Sequence, residues 1–176
     1  MCFSLLFNWT NCPATEYSDD IKKINITEEN NSCNISFRHG TINEEELNHY
    51  FTVARESAKA VERLKICDSQ LGRILAYSPL GTDNEWPAEE VCHLIELTSS
   101  DDLDNGIVIG INNKRGVHSV APNGSGELAI AVQFKSYLEA RSQYPRTRKI
   151  LTNMVKGFQS EAKFNQERER FEEFRE

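Results

Sequence analysis

The sequence lacks nearly every pattern that would announce a chemistry. No stretch reaches the roughly 18 apolar residues of a membrane-spanning helix. The apolar start, Met1 to Trp9, has no positive flank and no small-residue cleavage site after it, so it does not read as a secretory leader. The five cysteines (Cys2, Cys12, Cys33, Cys67 and Cys92) are odd in number and widely spaced, and no CxxC pair occurs. That speaks against a disulfide framework and against the common zinc and thiol-redox motifs. The four histidines (His39, His49, His93 and His118) show no HxH or HxxxH spacing. There is no GxSxG elbow, no GxxxxGK[ST] loop and no GxGxxG fingerprint. An N-x-S/T triplet begins at Asn8, Asn25, Asn30, Asn34 and Asn123, but an Asn-rich segment generates such triplets by chance. The expectation is a cytoplasmic protein with reduced thiols, no metal and no cofactor.

What is present is mostly charge, and it is sorted along the chain. The 176 residues allow one domain, or one domain with an ordered appendage. Hydrophobic content of 39% and charged content of 27% are slightly polar for a globular protein, but not disordered. A net charge of −7 argues against a whole-protein grip on nucleic acid or anionic membrane. From Asp83 to Asp104 there are eight acids and no Lys or Arg; from Arg141 to Lys156 there are five bases and no acid. Opposite blocks of this kind attract each other or attract partners.

The organisation reads as mainly α: a bundle of five or six helices from about residue 41, preceded by an irregular or partly extended segment over 1–40. In that segment Ile24 to Ile26 and Ile35 to Phe37 are strands or merely packed extended pieces. Thr41 and Glu44 have the spacing of a capping box. Leu47, Tyr50/Phe51, Ala54, Ala58, Val61 and Leu64 then form a helical stripe to about Lys65. A second helix is expected over Asp68 to Tyr77 with Asp68 as its cap. A third should start around Pro87, capped by Asp83 or Asn84, and end near Leu97. Ser99 or Ser100 caps a fourth, with Leu103, Ile107 and Ile111 inward, although Ile107 to Ile111 also has strand character. Residues 116–126 form a loop. Ser125 and Glu127 open a fifth helix with Leu128, Ala131/Val132, Lys135, Leu138 and Arg141 on one side; the alternation of Leu128, Ile130, Val132 and Phe134 is the competing strand pattern. The last helix begins at about Arg146, with Ile150/Leu151, Met154/Val155, Phe158 and Ala162 as its apolar stripe and a charged tail holding Phe164, Phe171 and Phe174.

Several short motifs stand in a fixed order: Trp86-Pro87-Ala88-Glu89-Glu90-Val91, Leu103-Asp104-Asn105-Gly106 and Gly110 to Val117. They are followed by Gly126-Glu127-Leu128-Ala129, Tyr144-Pro145-Arg146-Thr147 and Ser160-Glu161-Ala162-Lys163. In these, residues 82–173 resemble the C-terminal part of a group of uncharacterised bacterial proteins. The resemblance implies an all-helical module and carries no activity, ligand or catalytic residue.

Each candidate for chemistry has a plainer competitor. Cys92, His93 and His118 with an acid would need to converge to hold a metal. Ser125 stands in a Gly-rich loop before a helix, which favours anions, but it lacks the lysine of a phosphate loop. Asp101, Asp102, Asp104 and Asn105 miss the spacing of a calcium loop and suit the first turn of a helix. The basic segment is the main functional candidate: Arg141, Arg146, Arg148, Lys149 and Lys156, with Tyr144 nearby. Bases at a helix start oppose the helix dipole, so they call for partners. The leading expectation is a non-catalytic interaction or regulatory module that binds a protein partner or itself. It would use the charged faces for specificity and Trp86, Phe158, Phe171 and Phe174 for burial. The alternative is a nucleic-acid-associated accessory protein using the basic helix 141–156, and third stands a metal-dependent enzyme.

Overall fold

A computed structural model describes Ile35, residues 37–116 and residues 121–173. Expectations that fall on residues 1–34, on His118 or on Phe174 lie outside the described residues. Six α-helices follow in order: α1 (Glu44–Ala60), α2 (Leu64–Leu75), α3 (Glu89–Thr98), α4 (Asp101–Arg115), α5 (Ser125–Ala140) and α6 (Pro145–Glu173). A 3-10 turn, Pro122–Gly124, leads into α5. The described part is mainly α, and among its residues no helix is long and apolar enough to cross a membrane.

The helix starts depend on which polar groups are free to cap. Asn43, not Thr41, caps α1: its side-chain oxygen accepts the Glu46 amide at 3.2 Å. The stripe expected to reach Lys65 breaks at Ala60, and Glu62 takes a left-handed φ of 56° in the turn to α2. Asp68 does not cap α2 but lies inside it, buried. There it accepts Arg55 Nε at 2.8 Å and Arg55 Nη2 at 3.2 Å, joining α2 to α1. The third helix begins later than expected, at Glu89, after a cis Trp86–Pro87 peptide. Its predicted cap, Asp83, is committed to Arg141 instead. Ser100 does cap α4, accepting the Leu103 amide at 3.4 Å.

Both segments with strand-like patterns are helical, because helical spacing buries the larger side chains. In α4, Leu103, Ile107 and Ile111 are all at most 1% exposed. In α5 the inward face is Ile130, Ala131, Phe134 and Tyr137, so the expected face is rotated: Leu128 and Val132 point outward. Two aromatic rings, which bury the most area, set the orientation. Helices α2 and α4 approach closely enough that glycine is required at the crossing. A Cβ on Gly106 would stand 2.2 Å from the Ser69 carbonyl oxygen, and one on Gly72 2.1 Å from that of Leu103.

The N-terminal segment contributes to the core at its end. Phe37 stacks on Trp86 with ring centroids 5.0 Å apart and meets Tyr137 edge-on at 5.8 Å. Gln133 of α5 holds the backbone of Ile35 through two hydrogen bonds, at 3.1 and 2.9 Å. The Leu80 amide donates to the Arg38 carbonyl at 2.9 Å. Trp86, Phe134, Tyr137 and Phe158 thus form the centre where the segment before α1, the loop before α3, α5 and α6 meet.

Candidate interaction surface

The acidic and basic blocks are turned towards each other. Arg141, at the end of α5, is 1% exposed. Its Nη1 and Nη2 donate to the Asp83 carboxylate at 2.5 and 2.8 Å, and its Nε donates to the Pro87 carbonyl at 2.7 Å. A planar fork of this kind fits a carboxylate two-handed. That hydrogen bond holds the Asp83 carboxyl below its ordinary range, against the opposing effect of burial.

The same logic resolves the bases at the start of α6. Glu96 of α3 accepts the Arg146 amide at 2.9 Å, the Thr147 amide at 2.9 Å and the Thr147 hydroxyl at 3.1 Å. An acid from another helix therefore caps the positive end of α6. The Arg146 side chain reaches Asp101 at 2.7 Å, Asp104 at 2.9 Å and Ser99 at 3.2 Å. Burial raises the Asp104 carboxyl above its ordinary value, and Arg146 only partly counters this. Arg141 and Arg146 are thus tied into the fold. Trp86, expected at a partner contact, is 1% exposed in the core, with its indole N–H on Ser78 at 3.0 Å.

A further ion pair at the other end of α4 places that helix alongside α6. Arg115 donates to Glu161 at 3.0 Å, so the two helices run in the same direction, from Asp101 beside Arg146 to Arg115 beside Glu161. Arg115 also pairs with Glu127 of α5, which is buried. Burial works to raise the Glu127 carboxyl, but the amide of its own residue, Arg115 and Asn165 together hold it below the ordinary range.

Beyond Glu161, α6 continues past the end of α4. The 3-10 turn supports one side: the Asn123 amide donates to Glu169 at 2.7 Å and Gln166 donates to the Asn123 carbonyl at 2.9 Å. On another side Phe164 is 64% exposed and Phe171 72% exposed. They are seven residues apart, close to two full turns, and share a face. Gly157 continues that line, and a Cβ there would meet nothing within 4 Å among the described residues. One residue earlier at each step stand Lys149, Lys156, Lys163 and Arg170, all exposed. Arg148 is exposed as well. Lys149 and Lys156 belong to the basic block visible in the sequence, whereas Lys163 and Arg170 sit in the mixed-charge tail, where neighbouring acids mask them. The seven-residue spacing was the available signal.

A second cluster was also missed. His93 Nδ1 lies 3.1 Å from Glu44 Oε1, and its Nε2 lies 3.1 Å from the Tyr144 hydroxyl. Carboxylate, imidazole and phenol come from α1, α3 and the residue before α6, so no local motif could reveal them. Burial, then the charge of Glu89, pushes the Tyr144 phenol up, so it keeps its proton and is a poor nucleophile. Cys92 beside it is sealed in the core, its thiol pushed up to about 12 by burial. Such a thiol is inert at neutral pH. Among the described residues no three His, Cys, Asp or Glu side chains converge as metal ligands. Compared with known proteins, the chain matches no family model, no curated protein and no solved structure.

Proposed function

We propose that this chain is a non-catalytic helical interaction module that binds a protein, or a second copy of itself, through the outer face of α6. The observation that carries the reading is the pair Phe164 and Phe171, 64% and 72% exposed on one face of a helix that outruns its neighbour α4. Large aromatics exposed in register on a charged helix are characteristic of contact surfaces, where aromatic side chains are enriched. The sequence itself supports Phe174 as an extension of this line, three residues on from Phe171.

A nucleic-acid role is the second reading, and it rests on the exposed Arg148, Lys149 and Lys156. It is weakened because Arg141 and Arg146 are occupied by Asp83, Asp101 and Asp104, and because the net charge is −7. A cytoplasmic setting agrees with the unpaired thiols of Cys67 and Cys92.

Photo-cross-linking in cells distinguishes the readings. A photoreactive residue at position 164 is expected to give a discrete adduct that protease removes and nuclease does not. The same probe at Glu45, exposed on α1, serves as control. A nuclease-sensitive adduct, or labelling at 164 no stronger than at 45, contradicts the proposal.

A further inference from the structure

The basic line on α6 names the chemistry of what docks there, granted that α6 is an interaction face. Lys149, Lys156, Lys163 and Arg170 recur every seven residues, about 10.5 Å apart at 1.5 Å rise per residue. All four are exposed. Lys163 makes only a long contact of 3.8 Å with Glu167, and its side chain remains 77% exposed. Beside this line runs Gly157, Phe164 and Phe171, also at intervals of seven. The two lines are about 100° apart around the helix, the width of face one packed helix covers.

Gly157 sharpens the picture. A glycine inside a helix costs about 1 kcal/mol relative to alanine. Gly72, Gly106 and Gly124 each have backbone atoms within 3 Å of a would-be Cβ, whereas Gly157 has open space. Among the described residues no packing accounts for it, and a bare spot beside exposed phenylalanines lets another backbone approach closely.

We infer that α6 docks an amphipathic helix of a partner protein, one carrying carboxylates every seventh residue along one edge and apolar side chains beside them. The pitch is the first reason. Charges at seven-residue intervals on one helix match charges at the same intervals on another lying along it, as in helical pairs whose flanking charges choose the partner. The second reason is the apolar line, which has a counterpart on an amphipathic helix and none on a phosphate backbone.

The test uses the full chain and three fluorescent probes. One is a synthetic helical peptide with leucine at one position of each seven and glutamate at the adjacent one. The second is a peptide of the same composition with the order scrambled. The third is a short DNA duplex. Each exposed ion pair contributes a factor of roughly 1.4 to 5. The patterned peptide is therefore expected to bind about tenfold tighter than the scrambled one. The variant Lys149→Glu with Lys156→Glu and Lys163→Glu loses that tenfold, equivalent to about 1.4 kcal/mol. Lys156→Gln, a milder change on the same exposed line, loses part of it, and higher salt weakens the wild-type complex. Equal binding of both peptides overturns the inference, as does tighter binding of the duplex that the lysine variant abolishes. If Phe171→Ser reduces the position-164 cross-link while the lysine variant binds the patterned peptide normally, the interaction face stands and the acidic-helix partner falls.

Discussion

Arg141 is the most exacting point at which to test the fold. Its guanidinium is buried and makes four hydrogen bonds: two to Asp83, one to the Pro87 carbonyl and one to the Glu85 carbonyl at 3.2 Å. In Arg141→Met the aliphatic stem still packs and the Glu85 carbonyl keeps the Gly81 amide, but the Pro87 carbonyl keeps only the weak Cys92 thiol donor and Asp83 loses its charge partner. Asp83 is 44% exposed in its side chain, so water recovers much of its solvation. The Pro87 carbonyl belongs to a buried residue and recovers less. A buried acceptor that loses its strong donor costs up to about 1 to 3 kcal/mol, and breaking a buried charge pair about 3 to 5. With the exposed partner discounted, a loss of about 3 kcal/mol is expected. Arg141→Lys keeps the charge but cannot reach Asp83 and Pro87 together, so a loss of about 2 kcal/mol is expected. Asp83→Asn still accepts a hydrogen bond but leaves the buried Arg141 guanidinium without its counter-charge, and is expected to cost about 2 kcal/mol. Urea unfolding followed by tryptophan fluorescence measures all three, because Trp86 lies next to this loop. A cost below about 0.5 kcal/mol for Arg141→Met would refute the idea that this side chain pins the loop before α3.

Three other outcomes follow from the same structure. Gly106→Ala is expected to destabilise by about 2 kcal/mol, since overpacking against the Ser69 carbonyl outweighs a gain in helix propensity of about 1 kcal/mol. Gly157→Ala, with nothing in its way, is expected to stabilise by about 1 kcal/mol, and thermal unfolding of the pair checks the contrast. Asp83 and Glu127 have lowered folded values, so the stability they contribute is present above the ordinary carboxylate range near pH 4 and is lost as pH falls through those values. Asp104 is raised and acts in the opposite sense, so Asp104→Asn is expected to steepen the loss of unfolding free energy below pH 5 and Asp83→Asn to flatten it.

The parts legible in the sequence were those where one helix carries its own signal. The stripes Leu103, Ile107, Ile111 and Ile150 to Ala162 placed α4 and α6, because burial at spacing four is a local pattern. The starts of α2 and α3 were misplaced for a single reason: Asp68 and Asp83, good caps by composition, were taken by Arg55 and Arg141 from elsewhere in the chain. The α5 face was rotated because Phe134 and Tyr137 answer to Trp86 and Phe37, which periodicity within α5 does not register. The charge sorting was visible at once, yet its meaning was not. That Glu96 caps α6, and that Arg146 meets Asp101 and Asp104, depends on α3, α4 and α6 meeting at one corner. The cluster of Glu44, His93 and Tyr144 had no sequence signal for the same reason.

The central claim is that the basic block divides into an inner part that holds the fold and an outer part that does not. One comparison of unfolding free energies tests it: Arg146→Glu against Lys156→Glu. The first places a carboxylate beside Asp101, Asp104 and the Glu96 cap, and is expected to cost about 3 kcal/mol or more. The second changes an exposed side chain and is expected to stay within about 0.5 kcal/mol of the parent. Equal costs, or a stable Arg146→Glu beside an unfolded lysine variant, would contradict the account.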